Sequence, residues 1–148
     1  MTTESQNSDT STSFLSGILE SIKGATELFT SSKGLGMMPN PLSEKRIKLA
    51  SLYCSLGECV AEARKESDMA EFDSKKAKLE SYKAHRSENK SGVDSKAFSE
   101  YEALELTKRA IELKYNYERL KNIHDGTSEM LNAMSSRLRV LEGEKRNS

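Results

Sequence analysis

The fold is decided by residues 103–141, which read ALELTKRAIELKYNYERLKNIHDGTSEMLNAMSSRLRVL. Apolar or small side chains recur there at alternating steps of four and three residues, the spacing of one face of a long helix. His124 and Thr127 are the polar interruptions of this apolar seam. A narrow stripe of this length is typical of a helix that packs against other helices. We assign the helix-to-helix contacts of the seam to Leu106, Leu113, Tyr117, Leu120, Leu131 and Leu138.

The composition suits long helices better than a compact globule. Of the 148 residues, 35% are hydrophobic and 31% are charged. A chain of this kind has a small core of its own, so we expect oligomerisation to contribute to its stability. The charges of the 23 basic and 23 acidic residues cancel. A net charge of zero argues against binding of polyanions over the whole surface but allows a local basic patch.

The chain divides into five segments. Residues 1–13 are polar and predict a disordered tail, and residues 14–30 predict an amphipathic helix. Residues 31–41 contain two Gly and two Pro and predict a linker. Residues 42–142 predict a helical hairpin domain, and residues 143–148 a frayed C-terminus. The helix over 14–30 has three interpretations: packing on its own domain or a neighbouring subunit, docking on a partner protein, or lying on a membrane surface.

The hairpin domain is predicted to contain two helices of similar length. The first covers 42–87, with Asn40 as cap and Pro41 in the first helical position. The turn covers 88–94, where Gly92 can take positive φ and Asp94 or Ser95 can cap the next helix. That helix starts near residue 96 and continues across Asp125-Gly126 without losing the phase of the seam. The predicted fold class is therefore all-α: a long antiparallel helical hairpin or coiled coil, with an extra short N-terminal helix, assembling as an oligomer.

The first hairpin helix has two different apolar faces. Its seam changes from large residues to Ala and Ser after Val60, so this part of the seam can bury less apolar surface. Met69, Phe72 and Leu79 form a separate face. Two faces on one helix predict two neighbours, one within the subunit and one outside it.

Catalytic chemistry is not indicated by the residue pattern. His85 and His124 have neither a nucleophile nor metal-ligand spacing around them, and Gly34-Leu35-Gly36 lacks the remaining residues of a phosphate-binding loop. We expect a protein that is not an enzyme and uses no cofactor or metal. Cys54 and Cys59 lie on different helix faces, which favours thiols in a reducing compartment. With no apolar run of membrane-spanning length and no signal peptide, a cytoplasmic protein without a membrane partner is expected.

Cations are concentrated at the end of the first hairpin helix, where they interleave with an aromatic side chain. The same helix is acidic earlier, so one interpretation is a solvated helix end whose cations favour the helix dipole. The other is a basic surface for single-stranded nucleic acid, because flexible cations contact phosphates and an aromatic ring stacks on an unpaired base. The candidate DNA-binding residues are Lys75, Lys76, Lys78, Tyr82, Lys83, Arg86 and Lys90.

Several short motifs within residues 75–137 resemble a known family. They are the stretch KAKLESY at 76–82, the Ser91-Gly92 turn, Phe98-Ser99 with Tyr101, and the distal pattern Leu131-x-x-Met134-x-Ser136-Arg137. Together they resemble the phage UvsY family of recombination mediators. The resemblance implies a DNA-contact role for Lys76 and Lys78, which lie in the matched motif. The other candidates are included because they lie close to these two lysines on the helix.

The resemblance implies an accessory protein of phage DNA recombination, repair and replication. Its expected partners are single-stranded DNA, a RecA-like recombinase, a single-strand-binding protein, and further copies of the chain in a ring. For a phage-encoded chain the compartment would be the host cytoplasm. The alternative is a structural or chaperone-like coiled-coil adaptor without nucleic-acid binding, which depends on the same seam and on the zero net charge.

Overall fold

The computed structural model describes residues 5–30 and 38–146, and all of their regular structure is helical. The four helices are α1 (Ser5–Thr30), α2 (Pro39–Ser87), α3 (Gly92–Glu102) and α4 (Leu104–Arg146). The predicted all-α class is confirmed. Residues 1–4, 31–37 and 147–148, which belong to the predicted tail, linker and frayed C-terminus, lie outside the described residues.

The first two helices begin earlier than the sequence predicts. Helix α1 starts at Ser5, within the segment expected to be disordered; residues 5–13 contain no Gly or Pro to interrupt it. Helix α2 starts at Pro39, so the predictions that Asn40 is the cap and that Pro41 holds the first helical position are wrong. Both prolines fit in the first turn because N–H groups there have no intrahelical acceptor. The Leu42 N–H donates to the Met38 carbonyl at 3.2 Å.

The turn after α2 differs from the prediction in two details. Asn89 has positive φ (61°), whereas none of the glycines within the described residues does. Ser91, not Asp94 or Ser95, caps α3: its hydroxyl oxygen accepts from the Asp94 N–H at 3.1 Å. Gly92 is the first residue of α3, so the helix starts four residues before the predicted position.

The second half of the predicted hairpin is two helices rather than one. Ala103 separates α3 from α4, with φ −90° and ψ 8°, and its carbonyl accepts from the Thr107 N–H at 2.9 Å. The prediction that the helix continues across Asp125-Gly126 is confirmed, since both residues lie inside α4. Helix α4 extends to Arg146, past the predicted end at residue 142.

The chain forms two compact units, to both of which α2 and α4 contribute. Unit 1 contains the described residues up to Cys59 and from Asn122 onward. Its aliphatic core comes from α1, α2 and α4 and comprises Ile18, Ile22, Leu42, Leu49, Leu56, Met130 and Met134. Tyr53 stacks on the His124 ring with the centroids 4.1 Å apart, and Arg46 Nε donates to Ser135 Oγ at 2.7 Å.

Unit 2, Val60–Lys121, has a core of a different character. Its buried residues are mostly small, namely Ser67, Ser74, Ser95, Ser99 and Ala103, together with Leu120. The Ala and Ser line that the sequence places on the first hairpin helix therefore faces the interior of unit 2. Several large apolar residues of the same unit are exposed: Met69, Phe72, Leu79, Phe98, Tyr101, Leu104, Ile111 and Tyr115.

Candidate nucleic-acid interface

A groove between α2 and α4 in unit 2 gathers cations from both helices. We call it the basic groove. From α2 it is lined by Ser67, Glu71, Ser74, Lys75 and Lys78, and from α4 by Thr107, Ala110, Ile111 and Lys114. Its floor is held by a hydrogen bond of 2.9 Å between the hydroxyls of Ser74 and Thr107. Thr107 Oγ1 also donates to the Ala103 carbonyl at 2.9 Å, so Ser74 is the donor of the first bond.

Three lysines and one glutamate give the basic groove a positive balance. Lys75 Nζ lies 2.5 Å from Glu71 Oε1. This hydrogen bond and the charge of Lys75, followed by that of Lys114, lower the pKa of the Glu71 carboxyl. Glu71 therefore stays ionised and offsets part of the positive charge at the edge of the groove. The arrangement can contact phosphate groups with Lys75, Lys78 and Lys114.

An exposed apolar side chain lines the groove on the α4 side, and an exposed aromatic ring follows one turn further along the helix. Ile111 lines it and is 65% exposed, and Tyr115, one turn further along α4, is 66% exposed. Tyr115 directly follows Lys114 in the chain. In proteins that bind single strands, a cation contacts the phosphate backbone of the nucleic acid, and an exposed aromatic ring next to it stacks on an unpaired base.

The candidate lysines from the sequence fall into different surroundings. Lys75 and Lys78 line the basic groove. Lys76 and Lys83 are exposed and do not line it. Lys76 and Lys78 are two residues apart and therefore differ by about 200° around the helix. The two lysines that the family motif pairs thus face different directions.

Arg86 lies in the last turn of α2, and Lys90 lies in the turn between α2 and α3. Arg86 Nη1 donates to the Lys90 carbonyl at 2.8 Å. Lys90 Nζ lies 2.9 Å from Glu88 Oε2, 2.8 Å from His85 Nδ1, and 4.7 Å from the centre of the Phe98 ring. Lys90 and, more weakly, His85 lower the pKa of Glu88. These contacts hold the turn together and engage Lys90 within the subunit.

A second carboxylate in this region connects α2 with the end of α3. Glu102 accepts hydrogen bonds from the Ser81 hydroxyl and, at 3.1 Å, from His85 Nε2 in the tautomer whose Nδ1 accepts from Lys90. Ser81 is the largest cause of the lowered pKa of the Glu102 carboxyl, and His85 the next. Tyr82, the candidate stacking residue, is half-buried, and its hydroxyl lies near Gly92.

The seam residues differ in their exposure. Leu120 is buried, whereas Leu106 is 40% exposed. The remaining four are half-buried: Leu113, Tyr117, Leu131 and Leu138. On the side of α4 away from the basic groove, Leu106 and Leu113 line a second groove with Met69 and Arg109.

Lys114 and Tyr115 were not among the sequence candidates for binding. Ile111 and Tyr115 lie off the apolar seam of residues 103–141, and Lys114 has no other cation within four residues of it in the sequence. The signal that identifies them is the pairing of α2 with α4. Since Ser74 contacts Thr107, Lys78 and Lys114 border the same groove from opposite helices.

Among the described residues, no group of three or more His, Cys, Asp or Glu side chains could hold a metal ion. None of the helices, as far as they are described, has the length and apolar character needed to cross a bilayer.

Comparisons with known proteins give no match: no family model fits the chain, and no curated protein or solved structure is significantly similar to it.

Proposed function

We propose that this protein binds single-stranded DNA as a homo-oligomer and acts as a recombination mediator. In this role it helps to load a RecA-like recombinase on DNA in place of a single-strand-binding protein. The observation that carries the proposal is the basic groove, in which Lys75 and Lys78 of α2 and Lys114 of α4 lie around the exposed Ile111. The resemblance of residues 76–82 to the UvsY family supports the same role.

The groove has the chemistry of sequence-tolerant binding. Lysines contact phosphates without reading bases, and Tyr115 offers a ring face that any base can stack on. We therefore expect a preference for single strands over duplex, little dependence on base sequence, and strong weakening by salt.

We propose that α2 runs antiparallel to the α3–α4 segment within each unit. In unit 1, Arg46 contacts Ser135 and Tyr53 contacts His124. In unit 2, Ser74 contacts Thr107 and Ser81 contacts Glu102. In both pairs of contacts the residue number rises along α2 as it falls along the partner, which is the pattern of antiparallel helices.

Assembly of several copies explains how a chain without net charge could hold DNA. One groove offers three lysines, which is a weak site on its own. A closed assembly repeats the groove, and a strand that contacts several grooves gains avidity without any new contact. The exposed large apolar residues of unit 2 support such an assembly.

The binding test is fluorescence anisotropy with a labelled thymidine oligonucleotide at low and moderate salt. We expect the triple variant Lys75→Ala, Lys78→Ala, Lys114→Ala to bind at least about tenfold more weakly. Its slope of log K against log salt should be less negative by about two. The matched control, Lys45→Ala, Lys48→Ala, Lys121→Ala, removes the same charge from exposed positions outside the groove. Equal losses in both variants would contradict the groove as the site.

The mediator role needs a separate assay. Single-stranded DNA is first coated with a single-strand-binding protein, and a RecA-like recombinase is added with or without this chain. We expect the chain to shorten the lag before recombinase filaments form, and the groove variant to lose this effect. DNA binding without any change in the lag would instead favour an adaptor or protective role on single strands.

A further inference from the structure

The outer face of α2 in unit 2 carries large apolar side chains that are more than half exposed. Met69, Phe72 and Leu79 are 57%, 65% and 53% exposed, whereas Ser67 and Ser74 of the same stretch are buried. At about 100° per residue, Phe72 and Leu79 lie on one line along the helix and the two serines lie on the far side. The small residues of this stretch therefore face inward and the large ones outward.

A hollow lies on this outer face beside the Phe72 ring. It is lined by Ala61, Arg64, Lys65, Asp68, Met69, Phe72 and Asp73. Leu79 projects from the same face two turns further along the helix. The face thus carries an apolar hollow between residues 61 and 73 and, further along the helix, the projecting side chain of Leu79.

We propose that this face binds the same face of a second copy, with the two α2 helices antiparallel and Phe72 next to the two-fold axis. This contact joins two copies and is one contact of the oligomer in the proposed function, on which the proposal rests only for the expectation of assembly. With Phe72 on the axis, Leu79 lies seven residues after it and Lys65 seven before it. Leu79 of each copy then enters the hollow of the other.

The charges along the face complement one another in this orientation. Asp68 lies four residues before Phe72 and Lys76 four after it, so each aspartate meets the lysine of the other copy. Further out, Lys65 is placed near Glu80 of the second copy, and Glu62 near Lys83. Asp68 is free to make this exchange because its ion pair with Arg64 spans 3.8 Å between largely exposed side chains, which is a weak contact.

The same charges argue against a parallel contact between two α2 helices. In a parallel arrangement every residue meets its own counterpart, so Glu62, Asp68, Lys76 and Lys83 would each face a like charge. Like charges across an interface oppose association. The acidic residues of α2 before Phe72 and the basic residues after it, which the sequence leaves open to a solvated or a DNA-binding interpretation, thus also specify antiparallel self-pairing.

Sedimentation equilibrium of the full chain tests the proposal with a charge exchange. Asp68→Lys and Lys76→Glu each place two like-charge pairs across the interface, and we expect each to raise the dimer dissociation constant about tenfold. The double variant Asp68→Lys, Lys76→Glu restores opposite charges, and its dissociation constant should return to within about threefold of the original. A double variant that dimerises no better than the single ones would overturn the proposed register.

A second pair of variants tests the apolar part of the contact. Phe72→Asp should give a monomer with unchanged helical circular dichroism, because the side chain is exposed in the single subunit. Tyr101→Asp is the matched control: Tyr101 is 77% exposed on α3, and its substitution should leave the dimer intact. If the original chain is a monomer at 100 µM, or if Phe72→Asp dimerises normally, the proposal fails.

DNA binding by the same variants separates this inference from the proposed function. If the original chain is a monomer and the groove variant binds DNA more weakly than it does, the α2 contact is refuted and the groove assignment stands. A chain that dimerises through Phe72 but does not bind DNA would retain the α2 contact and refute the DNA-binding role.

Discussion

Two glycines of unit 1 illustrate how single residues are constrained within long helices. A Cβ on Gly126 would meet no atom within 4 Å, whereas a Cβ on Gly57 would lie 3.4 Å from His124 Nε2. A methyl group at position 57 would therefore touch the imidazole that stacks on Tyr53. Gly126 has no such neighbour and only weakens α4.

Gly126→Ala is expected to raise the free energy of unfolding by about 0.5–1 kcal/mol, the cost of Gly in a helix interior. Gly57→Ala gains the same helix propensity and adds a van der Waals contact with His124, so its stabilisation should be at least as large. Urea unfolding of the two variants measures both values. Destabilisation by Gly126→Ala would contradict a continuous α4 at this point.

The Glu102 carboxylate makes part of the stability depend on pH. Its pKa is lowered in the folded chain, because Ser81 and His85 donate hydrogen bonds to the ionised form. A lowered pKa contributes stability that is complete above the ordinary glutamate pKa and is lost as the pH falls through the folded value. We expect Glu102→Gln to be less stable than the original chain at pH 6, and this difference to shrink towards pH 3. A difference that is unchanged at pH 3 would show that the charge of Glu102 is not involved.

At the scale of elements, the start of α3 depends on one serine rather than on its neighbours. The Ser91 hydroxyl accepts from the Asp94 N–H and donates to Asp94 Oδ2 at 2.6 Å. Ser95 is fully buried, and its hydroxyl has no partner among the described residues. The two serines are chemically identical but differ in what their hydroxyls contact.

Ser91→Ala should lower the free energy of unfolding by about 1 kcal/mol through loss of the cap. Ser95→Ala should be neutral or stabilising, because it removes a buried polar group without breaking a hydrogen bond. Chemical denaturation of the pair gives the comparison. The reverse order, with Ser95→Ala the more destabilising variant, would mean that Ser95, one of the two caps predicted from the sequence, is the cap.

The helices were predictable because their signals are local. The seam fixed the phase of α4 across Gly126, and α2 ends at Ser87 as predicted. The starts of the helices were less predictable, since Asn40, Ser91, Asp94 and Ser95 are all acceptable caps. The break at Ala103 has no Gly or Pro to mark it.

At the scale of the molecule, the two units should differ in stability. Unit 1 buries Leu42, Leu49 and Leu56 of α2, whereas unit 2 buries Ser67 and Ser74 of the same helix. Less apolar burial leaves less free energy to oppose local opening. Native-state hydrogen exchange should therefore be faster for residues 60–87 than for residues 42–59, and should slow at high protein concentration as copies associate. Uniform protection along α2 at low concentration would contradict this difference.

The binding site was only half predictable from the sequence. Lys75 and Lys78 were identified because cations cluster along α2, but the cluster also contains Lys76, which points away from the groove, and Lys90, which is engaged with Glu88. Lys114 could not be identified, because its place beside Lys78 depends on the register of two helices far apart in the chain.

The central claim is that the chain binds single-stranded DNA through its lysines, and one titration tests it most directly. Anisotropy of a labelled thymidine oligonucleotide is followed with the unmodified protein at a series of salt concentrations, with a duplex of equal length in parallel. We predict binding at low salt that prefers the single strand, with a slope of log K against log salt near −2 for each groove occupied. Absence of binding at low salt, or an affinity that does not change with salt, would contradict it.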